Sequence, residues 1–389
     1  MLGLAACGSG GANGQPGSGG AGTGGGAGGT GGATAGTSGT GGATGGATAG
    51  TGGGSTAGSP GADAAAGSQP PVDAGSDGGS PADASEAGGA HLTLPIERNG
   101  LDVLQMGNFS FTVNPAVGAR ITSVKLDGDE LLTDATATGA PMFWGSSLWT
   151  SPASDWVGGN GVIVVPAVET QPYTTTVSAD GVITATSASV MYNNKRFSIT
   201  KVFHADLARQ AIVIDYQLKN LGTASFSLSH WEVTRVFPSG LVFFPSGTKT
   251  NAFPGQPLKF VTSAGYTWYD NAAHLMGKGE SHAGSDSTSP SGDFIAYVSP
   301  HATGDLLFVK AFSAITLAQA PPGHSPIEIY CNDPHTYVEL EDHSAYNPIA
   351  PGASYTRTVT WFLRRLPVGT DRSIGSAALV AAVKSALGN

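Results

Sequence analysis

The chain predicts an all-β fold, two large antiparallel sheets stacked face to face, behind a long low-complexity leader. Three observations predict it. Apolar residues alternate with polar ones at period two through much of residues 109–364. Turn residues, Asp127-Gly128 and Asp180-Gly181 among them, separate nearly all of these runs. The runs are too many for a small sandwich, which leaves two large sheets.

The leader comes first. Leu4-Ala5-Ala6-Cys7 resembles a bacterial lipoprotein cleavage site, in which lipid is attached to the cysteine. Residues 1–7 are therefore expected to be a truncated lipoprotein signal with Cys7 as the lipidated residue. Only six residues precede Cys7, too few for the charged and apolar regions of a signal peptide, so the true start is expected upstream. Residues 8–90 are almost wholly Gly, Ala, Ser, Thr and Pro, with no Lys, Arg or aromatic and Val72 as the one large aliphatic. Such a segment buries too little apolar surface to offset the entropy of ordering, so it reads as a disordered tether. Its r.m.s. span as a Gly-rich coil is about 50 Å. The expected place is the bacterial cell envelope, periplasmic or at the surface. A chance Leu-Ala-Ala-Cys ahead of a repetitive run is the plainer account, but anchor and tether occur together.

Composition narrows the rest. Charged residues are 12% of the 389, against about 25% in ordinary globular proteins. The net charge is −10, and Asp63, Asp73, Asp77, Asp83 and Glu86 place half of it in the tether. A mildly acidic domain without a basic cluster argues against nucleic acid and against anionic membrane surfaces. No apolar run approaches the 18 residues of a spanning helix, so the membrane contact expected is the lipid alone. With Cys7 lipidated, Cys331 has no partner for a disulfide, and stability must come from the core. Residues 91–389 are long enough for one.

Order begins near His91 and is clear by Phe109. Phe109, Phe111 and Val113 alternate, and Val124 with Leu126 leads into Asp127-Gly128. Val177 and Ile183 flank Asp180-Gly181 as a hairpin. Phe197, Ile199 and Phe203 form the next run. Ile212, Ile214, Tyr216 and Leu218 form a cleaner one, ending at Asn220-Leu221-Gly222. Strands are expected at 226–235, 240–245, 294–298, 306–311, 327–330, 336–341 and 355–364. Residues 271–293, rich in Gly, Ser, His and Asp, read as a long surface loop. Only the end is helical: Leu379, Val383 and Leu387 fall at i, i+4 and i+8, with Ser373 or Asp371 as cap and Gly388 as stop.

Several motifs are set aside. Glycine spacings in the tether match almost any glycine pattern, and Gly277-Lys278 lacks the rest of a phosphate loop. His274, His282, His301, His324, His335 and His343 lack ligand spacing and read as solvated loop histidines, so neither a metal nor another cofactor is expected. Two strands hold more. Alternation in 226–235 puts Phe226, Leu228, His230 and Glu232 on one face, which turns from apolar to ionisable. In 336–342, Val338 and Leu340 point one way while Tyr337, Glu339 and Glu341 point the other. Carboxylates beside an aromatic ring suit a sugar: the acids accept from hydroxyls and the ring packs on the C–H face. A His near a Glu also supplies a proton donor and acceptor. The same residues fit solvent-facing strand carboxylates and a hydrogen-bonded rim histidine, and alternation does not choose between the two.

The domain resembles the galactose mutarotase-like superfamily, the β-supersandwich group that includes aldose 1-epimerases. The likeness rests on the opening 109–132 with Gly118-Ala119-Arg120-Ile121, and on Tyr216–Gly222 followed by Ser229-His230-Trp231. It rests also on Leu148-Trp149-Thr-Ser-Pro152, and on Val338-Glu339-Leu-Glu341 ahead of Pro351-Gly352 and Trp361. It implies His230 as general acid, protonating the ring oxygen, and Glu339 as general base at the anomeric hydroxyl. It implies further that Arg120 and Trp149 bind the sugar, and the strand pattern adds Glu232, Tyr337 and Glu341 as expected sugar-binding residues. The early His-Gly-Gly segment of the epimerases is missing, Ser229 stands where the motif has Asn, and Trp231-Glu232 replace the residues after the His. The expectation is thus a tethered carbohydrate-binding protein with a mutarotase-like cleft. It is either an isomerase, or a non-catalytic glycan-binding or structural surface lipoprotein. A polysaccharide lyase or glycoside hydrolase ranks behind both, because no base with a neutralising Arg or Asn is identifiable.

Overall fold

In the computed structural model the alternating runs become the strands of two stacked sheets. The structure describes residues 92–389 apart from 140–141, 157–165, 248–249, 253–257, 274–278 and 284–291. Cys7 and the tether expected over 8–90 lie outside the described residues.

Among the described residues one sheet has twelve strands and the other eleven, and neighbouring strands pair antiparallel. The middle of the first sheet runs Arg120–Leu126, Ser146–Ser151, Phe226–Val236, Val338–His343, Ile327–Cys331. The middle of the second runs Asp293–Ser299, Leu306–Phe312, Ser354–Arg365, Ala211–Asn220, Lys195–Asp206. The period-two pattern is realised directly: in Lys195–Asp206, Phe197, Ile199, Lys201 and Phe203 are buried while Ser198, Thr200 and Val202 are half-exposed. Rings join the layers. Phe111 of the first sheet meets Phe203 and Trp361 of the second at centroid distances of 5.7 and 5.9 Å. Each such fully buried ring contributes roughly 1.5–3 kcal/mol.

The turn at Asp127-Gly128 shows why the pair was needed. Both residues take positive φ, 56° and 90°, the two-residue turn whose twist matches a hairpin. The C-terminal helix spans Ala377–Leu387, stopped by Gly388 at φ 81°. Its cap is Ser376, which accepts from Leu379 N at 3.3 Å, rather than Ser373 or Asp371. Asp371 instead accepts from the backbone and hydroxyl of Ser373. The stretch 271–293 is not wholly a loop: Gly279–Ala283 forms a strand paired with Ile327–Cys331. Gly, Ser and His composition hid it, because the pairing partner supplies the order.

Candidate functional site

The strand Phe226–Val236 lies inside the first sheet, and every residue from Leu228 to Val236 is buried, so both of its faces are covered. Its register with Val338–His343 pairs Glu232 with Asp342, Val233 with Glu341, and Arg235 with Glu339. Directly opposed residues share a face, and neighbours along a strand alternate. His230 and Arg235 are five apart, so His230 and Glu339 lie on opposite faces. The single depression expected to hold His230 with Tyr337, Glu339 and Glu341 does not form.

The inner face looks at the second sheet. Tyr216 donates to Glu232 Oε1 at 2.6 Å. Lys310 Nζ lies 2.6 Å from Asp342 Oδ1 and 3.6 Å from Glu232 Oε2, and Arg357 Nη2 pairs with Asp342 Oδ2. His230, fully buried, accepts or donates at Nδ1 with Ser344 Oγ at 3.1 Å and meets the Tyr355 ring at 4.8 Å. Burial, then the charge of Arg357, pushes its imidazole down to about 3, so it is neutral at pH 7. Burial pushes the Glu232 carboxyl up to about 7, with Lys310 pulling the other way. Glu232, expected to touch sugar, is instead tied between the sheets.

The outer face carries the remaining expected residues. Trp149 and Trp231 stand side by side in register, edge to face at 5.0 Å, with Trp156 against both. Trp231 Nε1 donates to Glu341 Oε2 and Trp149 Nε1 to Glu169 Oε2 at 2.8 Å. Arg120 Nη2 also pairs with Glu169, and Arg120 Nη1 donates to the carbonyls of Met142 and Trp144, both at 2.9 Å. Arg235 Nε donates to Glu339 Oε1 at 2.7 Å. Glu339 and Glu341 are each 2% exposed and Tyr337 5%. They are not solvent-facing strand carboxylates. Segments on either side of the strands cover them.

Two glycines hold that cover in place. Gly118, at φ 64°, runs so close to 168–169 that a Cβ would lie 2.6 Å from the carbonyl oxygens of Val168 and Glu169. Gly145, at φ 61°, would put a Cβ 2.5 Å from Ile121 O. Between Gly145 and the sheet edge, Met142, Phe143 and Trp144 form a half-buried apolar turn.

Histidines expected to be solvated loop residues gather beside Trp231. His324 Nδ1 is 3.1 and 3.2 Å from the two oxygens of Glu328, and His343 Nε2 is 3.4 Å from Glu328 Oε2. Their ligand atoms lie within 4.8 Å of one another, close enough to grip a cation. The hydrogen bonds fit a proton better. Ala153 N–H donates to His324 Nε2 at 3.0 Å, so the neutral ring carries its proton on Nδ1, toward Glu328. A metal at Nδ1 would move that proton to Nε2, against the Ala153 N–H. Burial pushes His343 down to about 4, with Glu328 opposing.

Sequence reasoning missed Arg235, Glu169 and Glu328. Alternation gave Arg235 a face shared with Trp231, and that signal was legible. Glu169 had none, because a covering segment brings it in.

No protein-family model matches the chain, and no curated protein is similar to it in sequence. Solved structures are similar to it. A putative aldose 1-epimerase from Klebsiella pneumoniae superposes with a TM-score of 0.50 at 11% identity, over 74% of this chain and 83% of that one. A galactose mutarotase-like protein from Clostridium acetobutylicum gives 0.48 at 10% identity, over 71% and 99%. A putative aldose 1-epimerase from Escherichia coli gives 0.47 at 12%, over 68% and 99%. The chain thus shares its fold with the Klebsiella protein.

Proposed function

We propose that the protein binds carbohydrate on the outer face of the first sheet, and that it does not interconvert anomers through His230 and Glu339. One observation carries the second half: the register sets these two residues on opposite faces of the sheet. A general acid and base must reach one substrate ring together. His230 is also walled in between the sheets and neutral at pH 7, so it is not the imidazolium that a general acid would be. The fold supports a sugar as ligand class, since proteins named aldose 1-epimerases are built on it. The outer face gathers tryptophans, carboxylates and guanidinium groups, residue types that suit a sugar, beneath the covering segments.

The proposed place is the cell envelope, through lipid on Cys7 with 8–90 as tether. Leu4-Ala5-Ala6-Cys7 and the composition of the following residues support this. Palmitate labelling of the protein expressed from its upstream start tests it. Label lost in Cys7→Ser is the expected result, and label that survives sinks the anchor.

Proton NMR of freshly dissolved α-anomers tests the function. The expected result is sugar resonances that broaden or shift with protein while the anomerisation rate stays at its uncatalysed value. Acceleration abolished by Glu339→Gln would make the protein an isomerase after all.

A further inference from the structure

Among the described residues two lysines are buried, and they are held in opposite ways. Lys310 Nζ lies 2.6 Å from the Asp342 carboxylate. Lys201, on the inner face of Lys195–Asp206, has carbonyls for partners instead. Its Nζ donates to Gly118 O at 2.7 Å and to Ala119 O at 3.3 Å. Gly118 and Ala119 are consecutive left-handed residues, at φ 64° and 45°, and Ala119 is fully buried. That backbone is costly for a residue with a Cβ and persists only where its surroundings hold it. Lys201 reaches across from the second sheet to hold it.

The turn in its own right holds the cover of the outer face. Gly118 N–H donates to Gln171 O at 2.9 Å, and Tyr173 N–H to Pro115 O at 2.8 Å. The segment tied in this way, 168–173, carries Glu169, which accepts from Ser147 Oγ at 2.9 Å, from Trp149 Nε1 and from Arg120. A chain of contacts thus runs from Lys201 through two backbone segments to Trp149 and Arg120 on the outer face.

We propose that Lys201 is a positioning residue for the outer-face site, a proton-operated latch that fixes the Gly118-Ala119 turn and the Glu169 segment while uncharged and loosens both on taking up a proton. The inference rests on the carbohydrate reading above. A free amine has two N–H groups, which the two carbonyls fill, whereas the ammonium brings a third and a full charge into the interior. Water reaches that charge only if the turn lets go, so proton uptake favours release. Burial pushes the amine down to about 7, with Glu169 opposing, Arg120 adding to the push and Glu232 opposing again. Two phenols also face it, Tyr173 with its ring centroid 5.4 Å away and Tyr216 opposite it in register. Burial holds both up, so they stay protonated. Because the amine titrates below its ordinary 10.5, the closed turn gains stability as pH rises from about 7 to 10.5.

Hydrogen exchange of the full chain, read at the Gly118 and Tyr173 amides between about pH 7.5 and 9, tests this. The window starts above the Glu232 carboxyl, raised to about 7. Wild-type protection, corrected for intrinsic exchange, should rise by up to about tenfold per pH unit. In Lys201→Met the rise should vanish, and protection at both amides should fall roughly tenfold or more, since two buried carbonyls lose their donor. Protection at Tyr216, beside Lys201 in the second sheet, should hold. A lysine that only fills the core would lose all three amides together, and that result overturns the latch. So does a flat wild-type profile, which decides the matter even where the variant fails to fold. Calorimetric titration with glucose, galactose and mannose is the separate arm. Lys201→Met should weaken the tightest of them roughly tenfold, and unchanged affinity overturns the positioning role. If the wild type binds none of the three, the carbohydrate reading falls, while the exchange data still decide the latch.

Discussion

The two faces of Phe226–Val236 solve the same problem differently. Each buries ionisable groups in a sheet interior, where an unpaired charge costs several kcal/mol. The inner face balances itself: Lys310 and Arg357 meet Glu232 and Asp342, and the groups span the two sheets. The outer face pairs its groups within one sheet instead: Arg235 meets Glu339 and Trp231 meets Glu341 across neighbouring strands. The inner cluster ties the two layers together, and the outer one ties strands to each other and to their cover.

The sharpest break of the comparison is Asp342→Asn. It keeps the shape but leaves Lys310 and Arg357 buried without their common counter-charge, and should cost about 3–5 kcal/mol in urea unfolding. A loss below about 1 kcal/mol would mean that the inner face is not a closed charge cluster. Tyr216→Phe comes next, removing the donor to Glu232 at 2.6 Å. About 1.5–3 kcal/mol should go, with sugar binding on the outer face unchanged. Gly118→Ala attacks the other face through its cover. The left-handed backbone alone costs about 1–3 kcal/mol, and the clash with 168–169 displaces the segment that carries Glu169. Weakened sugar binding should accompany the stability loss here, in contrast to Tyr216→Phe.

The last effect is a pH slope, and its sign separates the groups. His230 and His343 titrate near 3 and 4 in the folded protein, below the ordinary 6.5. Between about pH 4.5 and 6.5 the unfolded chain therefore binds more protons at these two sites, so their contribution to stability rises with pH. Glu232 is raised from 4.5 to about 7, so over the same window the folded chain holds its proton and that contribution falls. Two against one leaves a net rise of about 1.4 kcal/mol per pH unit. Urea unfolding at pH 4.5, 5.5 and 6.5 measures it, and His230→Gln should flatten it. A stability that falls across this window would show that Glu232 dominates.

The alternating runs made the strands legible, because a half-buried strand must alternate. Asp127-Gly128 fixed a turn through the positive φ that both residues tolerate. The strand Gly279–Ala283 was hidden, since its order comes from Ile327–Cys331 and not from its own composition. In the site, the shared face of Tyr337, Glu339 and Glu341 was readable from period two. Their burial was not, because it depends on segments remote in sequence.

The sequence by itself determined which residues share a face of each strand, since that follows from the period of the backbone. It determined also the acidic balance, the single cysteine of the domain and the C-terminal helix with its stop at Gly388. Tertiary structure decided which face looks at the second sheet and how neighbouring strands register. That choice set His230 and Glu232 inside and Trp231, Arg235, Glu339 and Glu341 outside. The physical reason is that alternation has no sign. A strand covered on both sides carries two equally regular patterns, and only packing against the other layer tells them apart.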